Sequence, residues 1–419
     1  MLNGMRRVVV TGLGQVTPHG SDVAAGFEAL LAGHSAIRIN TVGEAPHALT
    51  LASAVCEGAD AAARLGRARV SMMDRVSQLS ALAGTAAWAD AGLDGLPESA
   101  PERERACVLW GTGAGGMQTL ERGYRDLSLR ERPRVSPLSV VMGMHNAAAS
   151  QLALLLGLGG ACLSYSVACA SSSVAIAEGM RRVQRGECEL ALAGGGEAAL
   201  PYGAVKAWQA LQVLAPADGE ASACRPFDAS RHGLVLGEGA AALVLEERER
   251  ALARGARIYA ELAGSGASCD HHHLTSPEVG GQLRALRAAL RDAGVDAHDV
   301  RYVNAHGTAT VDGDPVEAEA LRQLFGAFAP RVAVSATKSM HGHLMGAAGA
   351  LEALVCVMAV HTGHIPPTAH LKQVDTACDG LDHVRGVGRQ GVGVPLALSN
   401  SFAFGGSNSV LVFRRHESG

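Results

Sequence analysis

Aromatic residues make up only 4% of this 419-residue chain, and lysine is nearly absent: Lys206, Lys338 and Lys372 stand against 33 arginines. So few rings leave little to stack on nucleobases, and a formal net charge of −4 gives no basic footprint, which excludes nucleic acid as a partner. The nine cysteines are odd in number and scattered, with no Cys-x-x-Cys pair. That pattern argues against a disulfide framework or a zinc site and for a reducing compartment, the cytoplasm. No apolar run approaches the ~20 residues of a membrane span, and Met1–Arg7 lacks the apolar stretch of a secretory leader, so no membrane association is expected. No low-complexity linker interrupts the chain.

What is present is a large potential core. Hydrophobic residues are 48% of the chain, and its length allows two to three domains. Strand-like runs alternate with Ala/Leu/Arg-rich helical stretches: Val8–Thr11, Cys107–Trp110, Glu189–Ala193, Ala241–Leu245, Tyr259–Ala263, Val300–Asn304, Val332–Ser335, Leu396–Asn400 and Val410–Phe413. This is an α/β chain. Its halves echo one another, each with a strand-to-loop segment followed by a Gly-rich strand, Ala193–Glu197 in one and Phe404–Asn408 in the other. The joint is expected near Arg254-Gly255-Ala256, after a helical Leu245–Ala253, which gives halves 1–255 and 256–419.

Cys169 is the most informative residue. Leu163–Val167 alternates as a short strand does, and Val174, Ile176, Ala177, Met180 and Val183 then recur at helical spacing, with Gly186 past the end. A sulfur at that junction lies at a helix N-terminus, whose free N–H groups and dipole favour thiolate. Downstream, His306 follows a short apolar strand in Val303–Thr310, and His343 stands between Ser335–His341 and a small-residue helix. The chain closes on Ser399–Asn408, a strand–loop–strand element. A cysteine nucleophile with two separate histidines suits acyl-thioester chemistry: sulfur takes the acyl group, and the imidazoles hold a developing enolate or manage protons.

The ordered motifs Cys169, Asn304-Ala305-His306-Gly307-Thr308, Thr337-Lys338-Ser339-Met340, Gly342-His343, and Asn400-Ser401-Phe402 with Phe404-Gly405-Gly406 resemble the elongating β-ketoacyl-ACP synthases of the synthase II type. These belong to the thiolase superfamily and include type II polyketide ketosynthases. The similarity runs from Arg7–Gly14 through Arg225–Asp228 and Gly237–Ala240 to Ser409–Phe413. A thiolase would offer a second cysteine near the C-terminus, and a priming synthase an asparagine for the second histidine. A non-catalytic chain-length factor would lack the nucleophile.

The resemblance implies a duplicated, five-layered α/β/α/β/α thiolase fold. The N-terminal half would carry Cys169 and a helical insertion within Gly58–Leu158 that builds the dimer contact; the C-terminal half would carry both histidines. It implies an acyltransferase with no permanently bound cofactor and no metal, acting on substrates carried by acyl carrier protein phosphopantetheine. The chain would work as a homodimer, or alternatively as a heterodimer with a chain-length factor. Cys169 would be the nucleophile; His306 and His343 would hold the malonyl thioester and promote decarboxylation. The backbone N–H groups of Cys169 and Phe404 would form the oxyanion hole, and Lys338 would pair with Glu352. Thr308, Thr310 and Thr275 would contact pantetheine, Ala114 the acyl chain, and Asp270, Phe402 and Phe404 would support or gate the pocket. Asp314 and Glu317 would stabilise the loop of His306.

The resemblance implies decarboxylative condensation of malonyl-ACP with the Cys169-bound acyl group, in fatty acid or type II polyketide and polyene elongation. Four departures leave that chemistry intact but set a specialised synthase beside a housekeeping fatty-acid role: His341 in place of threonine, Ala403 in place of glycine, Leu214 where an arginine near the carrier entrance is typical, and Leu138-Ser139 in place of a bulkier pair near the dimer contact. Arg64, Arg67 and Arg69, and Arg130, Arg132 and Arg134, are candidate carrier-docking charges. His271-His272-His273 is expected to be a solvated loop, since adjacent histidines splay apart and do not share one ion.

Overall fold

The computed structural model describes residues 5–128, 134–217 and 220–416; Arg130 and Arg132 lie outside them. Two half-sheets of the same design run through the molecule. In the first, Cys162–Tyr165, Cys107–Gly111 and Leu190–Glu197 pair in parallel, and Gly239–Glu247 and Val8–Val16 continue antiparallel. In the second, Ala333–Ser335, Tyr302–Asn304 and Leu396–Ala403 pair in parallel, and Ser407–Arg414 and Ala260–Cys269 continue antiparallel. The short pairing of Val9 with Glu261 and Val10 with Ala260 joins them edge to edge. The expected duplication is therefore visible strand by strand.

Helices complete five layers. Arg75–Asp90 and Ala147–Leu156 cover the outer face of the first half-sheet, and Val279–Ala293 with Gly313–Phe325 covers the second. Ser171–Gln184 and Ala348–Thr362 fill the layer between. Every residue from Ala348 to Val360 is buried, because this helix has sheet or helix on all sides. Met345–Thr362 is long and apolar enough to cross a bilayer, but 83% of it is packed inside the protein.

Several boundaries differ from the sequence reading. Leu245–Glu247 completes a strand, and the helix starts only at Arg248, because the register against Val8–Val10 carries the ladder further than local helix propensity suggests. The strand before the cysteine is Cys162–Tyr165, and Val167–Cys169 is a tight turn instead. Gly58–Leu158 is more than an appendage: Arg75–Asp90 buries Val76, Leu79 and Trp88 and forms an outer layer of the fold itself. The hairpin Arg38–Glu44/His47–Ala54 lies outside the expected strands, because its first strand is exposed or half-buried throughout and only Leu51, Ala52, Ser53 and Ala54 of the second are buried, too short an apolar run to signal a strand.

Candidate active site

Both central helices point their N-terminal ends at one spot. Ala168, with φ of 46°, turns the chain sharply before the Ser171–Gln184 helix. The Ser171 hydroxyl fixes that turn, accepting from Val167 N–H and donating to Ala168 O. Gly111 lets the helix start lie against the neighbouring strand, for a Cβ there would fall 2.2 Å from Ser172 N. Cys169 thus sits at the junction and is buried. His343 enters from the loop before the second central helix, held by His343 N–H to Val235 O and Gly237 N–H to His343 O. His306 follows Tyr302–Asn304, and the Glu317 carboxylate accepts its N–H and that of Gly307, both at 2.8 Å.

The Cys169 Sγ and one ring nitrogen from each histidine lie within 4.8 Å of one another. His343 Nε2 is 3.0 Å from the sulfur, and its Nδ1 accepts Met345 N–H at 3.2 Å. The neutral ring therefore carries its hydrogen on Nε2 and donates it toward sulfur. The His306 ring is nearly perpendicular to that of His343, with centroids 5.5 Å apart, and its Nδ1 faces the Lys338 ammonium at 3.4 Å, which likewise leaves the hydrogen on Nε2. Burial, then Lys338, holds both imidazoles well below the usual histidine range, so both are neutral donors.

Burial also pushes the Cys169 thiol up to about 12, outweighing Lys338 and the Phe404 N–H that bonds the sulfur. Burial thus opposes the expected thiolate: a helix end contributes about 1 kcal/mol, small against full desolvation. Lys338 donates to His306 O at 2.6 Å and pairs with Glu352, both fully buried. Burial raises Glu352 to about 7 against the pull of that ammonium. A dication among Cys169, His306 and His343 would meet the same ammonium and two N–H groups, so the cluster is poorly suited to metal.

Cys169, His306 and His343 line a cavity of about 260 Å³. Thr275, Thr308, Thr310, Asp270, Phe402 and Phe404 all line it. The Thr308 and Thr310 hydroxyls are 3.0 Å apart. Asp270 accepts from Asn408 and Glu278 N–H, and Gly405 N–H donates to Leu274 O, so the two loops expected to gate the pocket are bonded to each other. Asp314 accepts Phe227 and Ala309 N–H and lies 3.7 Å from Arg231, which braces the loop after His306. Ala114 does not line this cavity; its N–H donates to Glu197, and its loop packs against Met142–His145. Leu214 packs among Val205, Leu234 and Leu236, and Leu211 and Val213 take the cavity positions. His271–His273 is exposed, with His273 Nδ1 accepting Thr275 and Ser276 N–H. Arg64, Arg67, Arg69 and Arg134 are exposed.

Two contributors escaped the sequence reading. Trp208 lines the cavity and stacks on Phe404, centroids 5.9 Å apart and rings 21° from parallel. Glu197, fully buried, accepts N–H bonds from Gly113, Ala114 and Gly346, tying the loop after Gly111 to that after His343. An acid inside the apolar Gly-rich strand was the available signal.

The family model "Beta-ketoacyl synthase, N-terminal domain" matches residues 5–251, and "Beta-ketoacyl synthase, C-terminal domain" matches 259–372. Nodulation protein E of Rhizobium sp. (strain N33) is 42% identical over 412 residues, 98% of this chain and 99% of that protein. The 3-oxoacyl-[acyl-carrier-protein] synthase 2 of Staphylococcus aureus (strain COL) is 39% identical over 415 residues, again 98% and 99%. Among solved structures, the ishigamide ketosynthase/chain length factor superposes with a TM-score of 0.90 at 32% identity, covering 99% of this chain and 100% of that one.

Proposed function

This chain belongs to the β-ketoacyl synthase family and is a condensing acyltransferase, and from that premise we propose that it extends an acyl chain held on Cys169 with a two-carbon unit from malonyl-ACP. Such synthases act on phosphopantetheine-borne substrates without a permanent cofactor. The observation that carries the residue assignment is the convergence of Cys169 Sγ with two neutral imidazoles on a cavity lined by hydroxyls and aromatic rings.

In the first half-reaction the Cys169 sulfur attacks the acyl thioester. The thiol proton passes to the departing carrier thiol, and the N–H groups of Cys169 and Phe404 hold the oxyanion. Malonyl-ACP then enters with its thioester oxygen between His306 and His343. Loss of CO2 leaves an enolate whose charge the two Nε2–H groups stabilise. The enolate carbon attacks acyl-Cys169, forming the C–C bond and expelling the cysteine thiolate, which one solvent proton returns to thiol. Neutral imidazoles suit this role: each donates one hydrogen bond and neither protonates the enolate carbon. Thr308, Thr310 and Thr275 position the pantetheine arm, and Phe402, Phe404 and Asp270 shape its access.

The partner is an acyl carrier protein, and the active assembly is a dimer in the cytoplasm. The dimer reading is supported by exposed apolar side chains on three helices that contact one another in sequence: Tyr124 and Leu127 on Met117–Ser128, Val140, Val141 and Met144 on and just after Ser139–Gly143, and Leu154 on Ala147–Leu156, the last of which packs against the edge strand Cys162–Tyr165. A second thiolase-fold subunit would cover them, either another copy or a chain-length factor. The test is intact-protein mass spectrometry after incubation with a panel of acyl carrier proteins. A thioester adduct on Cys169 is expected, and its absence with every acyl group would overturn the assignment.

A further inference from the structure

His341, fully buried, is a residue the mechanism above does not use. Its Nδ1 lies 2.7 Å from Gly342 O, and its Nε2 lies 3.0 Å from Thr337 Oγ1. A carbonyl only accepts, so Nδ1 carries the hydrogen and Nε2 accepts from the threonine hydroxyl. Thr337 Oγ1 in turn accepts Asn304 Nδ2–H at 3.3 Å. The bonds thus form one directional chain from Asn304, two residues before His306, to the carbonyl immediately before His343.

That carbonyl belongs to a peptide fixed from both sides. His341 holds its oxygen, and Val235 O takes its N–H, which is the His343 amide. Gly342 has φ of +68°, a conformation glycine adopts freely, so these two hydrogen bonds rather than steric restriction fix the orientation of the peptide. Burial, then Lys338, keeps the His341 imidazole well below the usual range, so the chain of bonds retains one polarity.

We propose that His341 is a positioning residue: it orients the Gly342–His343 peptide and couples it to the Asn304–His306 strand end, so that both imidazoles present their hydrogens to the same oxygen. This rests on the condensing role given to His306 and His343. A side chain with one hydroxyl does not span both partners.

The test compares His341→Phe, which keeps ring volume and removes both bonds, with His341→Asn, which keeps an amide donor near Nδ1. Malonyl-ACP decarboxylation is measured as kcat and KM, alongside melting temperature. His341→Phe should lower kcat about 10-fold to 100-fold with KM unchanged, the scale of a small misplacement of a catalytic group. His341→Asn should recover to within about 3-fold of the original. Should His341→Phe fail to fold, His341→Gln, whose amide reaches toward Thr337, replaces it and should fall below Asn by about 5-fold or more. Equal kcat in the compared variants would make His341 a packing residue and overturn the proposal. His343→Ala, run in parallel, separates the failures: undiminished decarboxylation there would sink the condensing role itself.

Discussion

His343 Nε2 stands 3.0 Å from Cys169 Sγ and gives the sulfur a hydrogen bond without offering it a base, because Met345 N–H occupies the other ring nitrogen. The arrangement differs from a Cys–His ion pair, in which imidazole holds the thiol proton. Here the resting nucleophile is a buried thiol, and its activation belongs to the acyl-transfer step.

That relationship sets the pH dependence of Cys169. With its thiol pushed up to about 12, the reactive thiolate is a small fraction across the neutral range. Iodoacetamide alkylation of the acyl-free enzyme should rise about 10-fold per pH unit between about pH 6.5 and 9, without a plateau. A plateau near neutrality, with the adduct mapped to Cys169, would show that the helix end prevails over burial after all.

Removing either imidazole should separate the two half-reactions. His306→Ala and His343→Ala should each slow malonyl decarboxylation by at least about 100-fold, the scale for losing a positioned oxyanion donor. Acylation of Cys169 should suffer less, since backbone N–H groups hold that oxyanion. Rapid-quench assays of each half-reaction decide it, and normal decarboxylation in one variant removes that histidine from the mechanism.

The Lys338–Glu352 pair is wholly buried, so breaking it on one side strands a charge. Lys338→Met should cost about 3–5 kcal/mol at about pH 8, measured by urea unfolding. Glu352 is already raised to about 7 and rises further without its ammonium. A carboxyl raised in the native state holds protons that the unfolded state releases, so stability should return as pH falls from about 8 toward 5. Lys338→Met with Glu352→Leu should restore stability but not activity. A Lys338→Met penalty independent of pH would mean that Glu352 is not the stranded group.

How far the sequence carried the fold and the site depends on what each residue interacts with. Cys169, His306, His343 and Lys338 stand in short ordered motifs, and the elements around them are local, so their neighbourhood was legible. Glu197 was not, because its role lies in three backbone N–H groups distant in sequence. Trp208 was equally hidden, since only tertiary packing brings its helix against Phe404. The competing effect at Cys169 was hidden for a related reason: a helix terminus is visible in sequence, whereas the depth at which it is buried is not. Leu214 shows the same limit: the resemblance sets it near the carrier entrance, and only the folded chain puts Leu211 and Val213 on the cavity with Leu214 packed beside them.

Ala114 carries the chain-length prediction. Its side chain is outside the cavity of the single chain, and its loop rests on Met142–His145, next to the exposed Val140, Val141 and Met144. A channel running from Cys169 past Ala114 would therefore be closed by the second subunit. With only a methyl group at that position, such a channel would be wider than a larger aliphatic would leave it. Each methylene buried there contributes about 0.8 kcal/mol, so two added methylenes favour acylation by roughly 10-fold. The enzyme should accept medium to long acyl or polyenoyl groups. Ala114→Phe should block the longer ones while sparing acetyl to hexanoyl, because the ring intrudes only beyond the first few carbons. Competition among acyl carrier proteins of increasing chain length, read by intact mass on Cys169, measures the shift. An unchanged profile in a variant that still dimerises would place the acyl channel elsewhere.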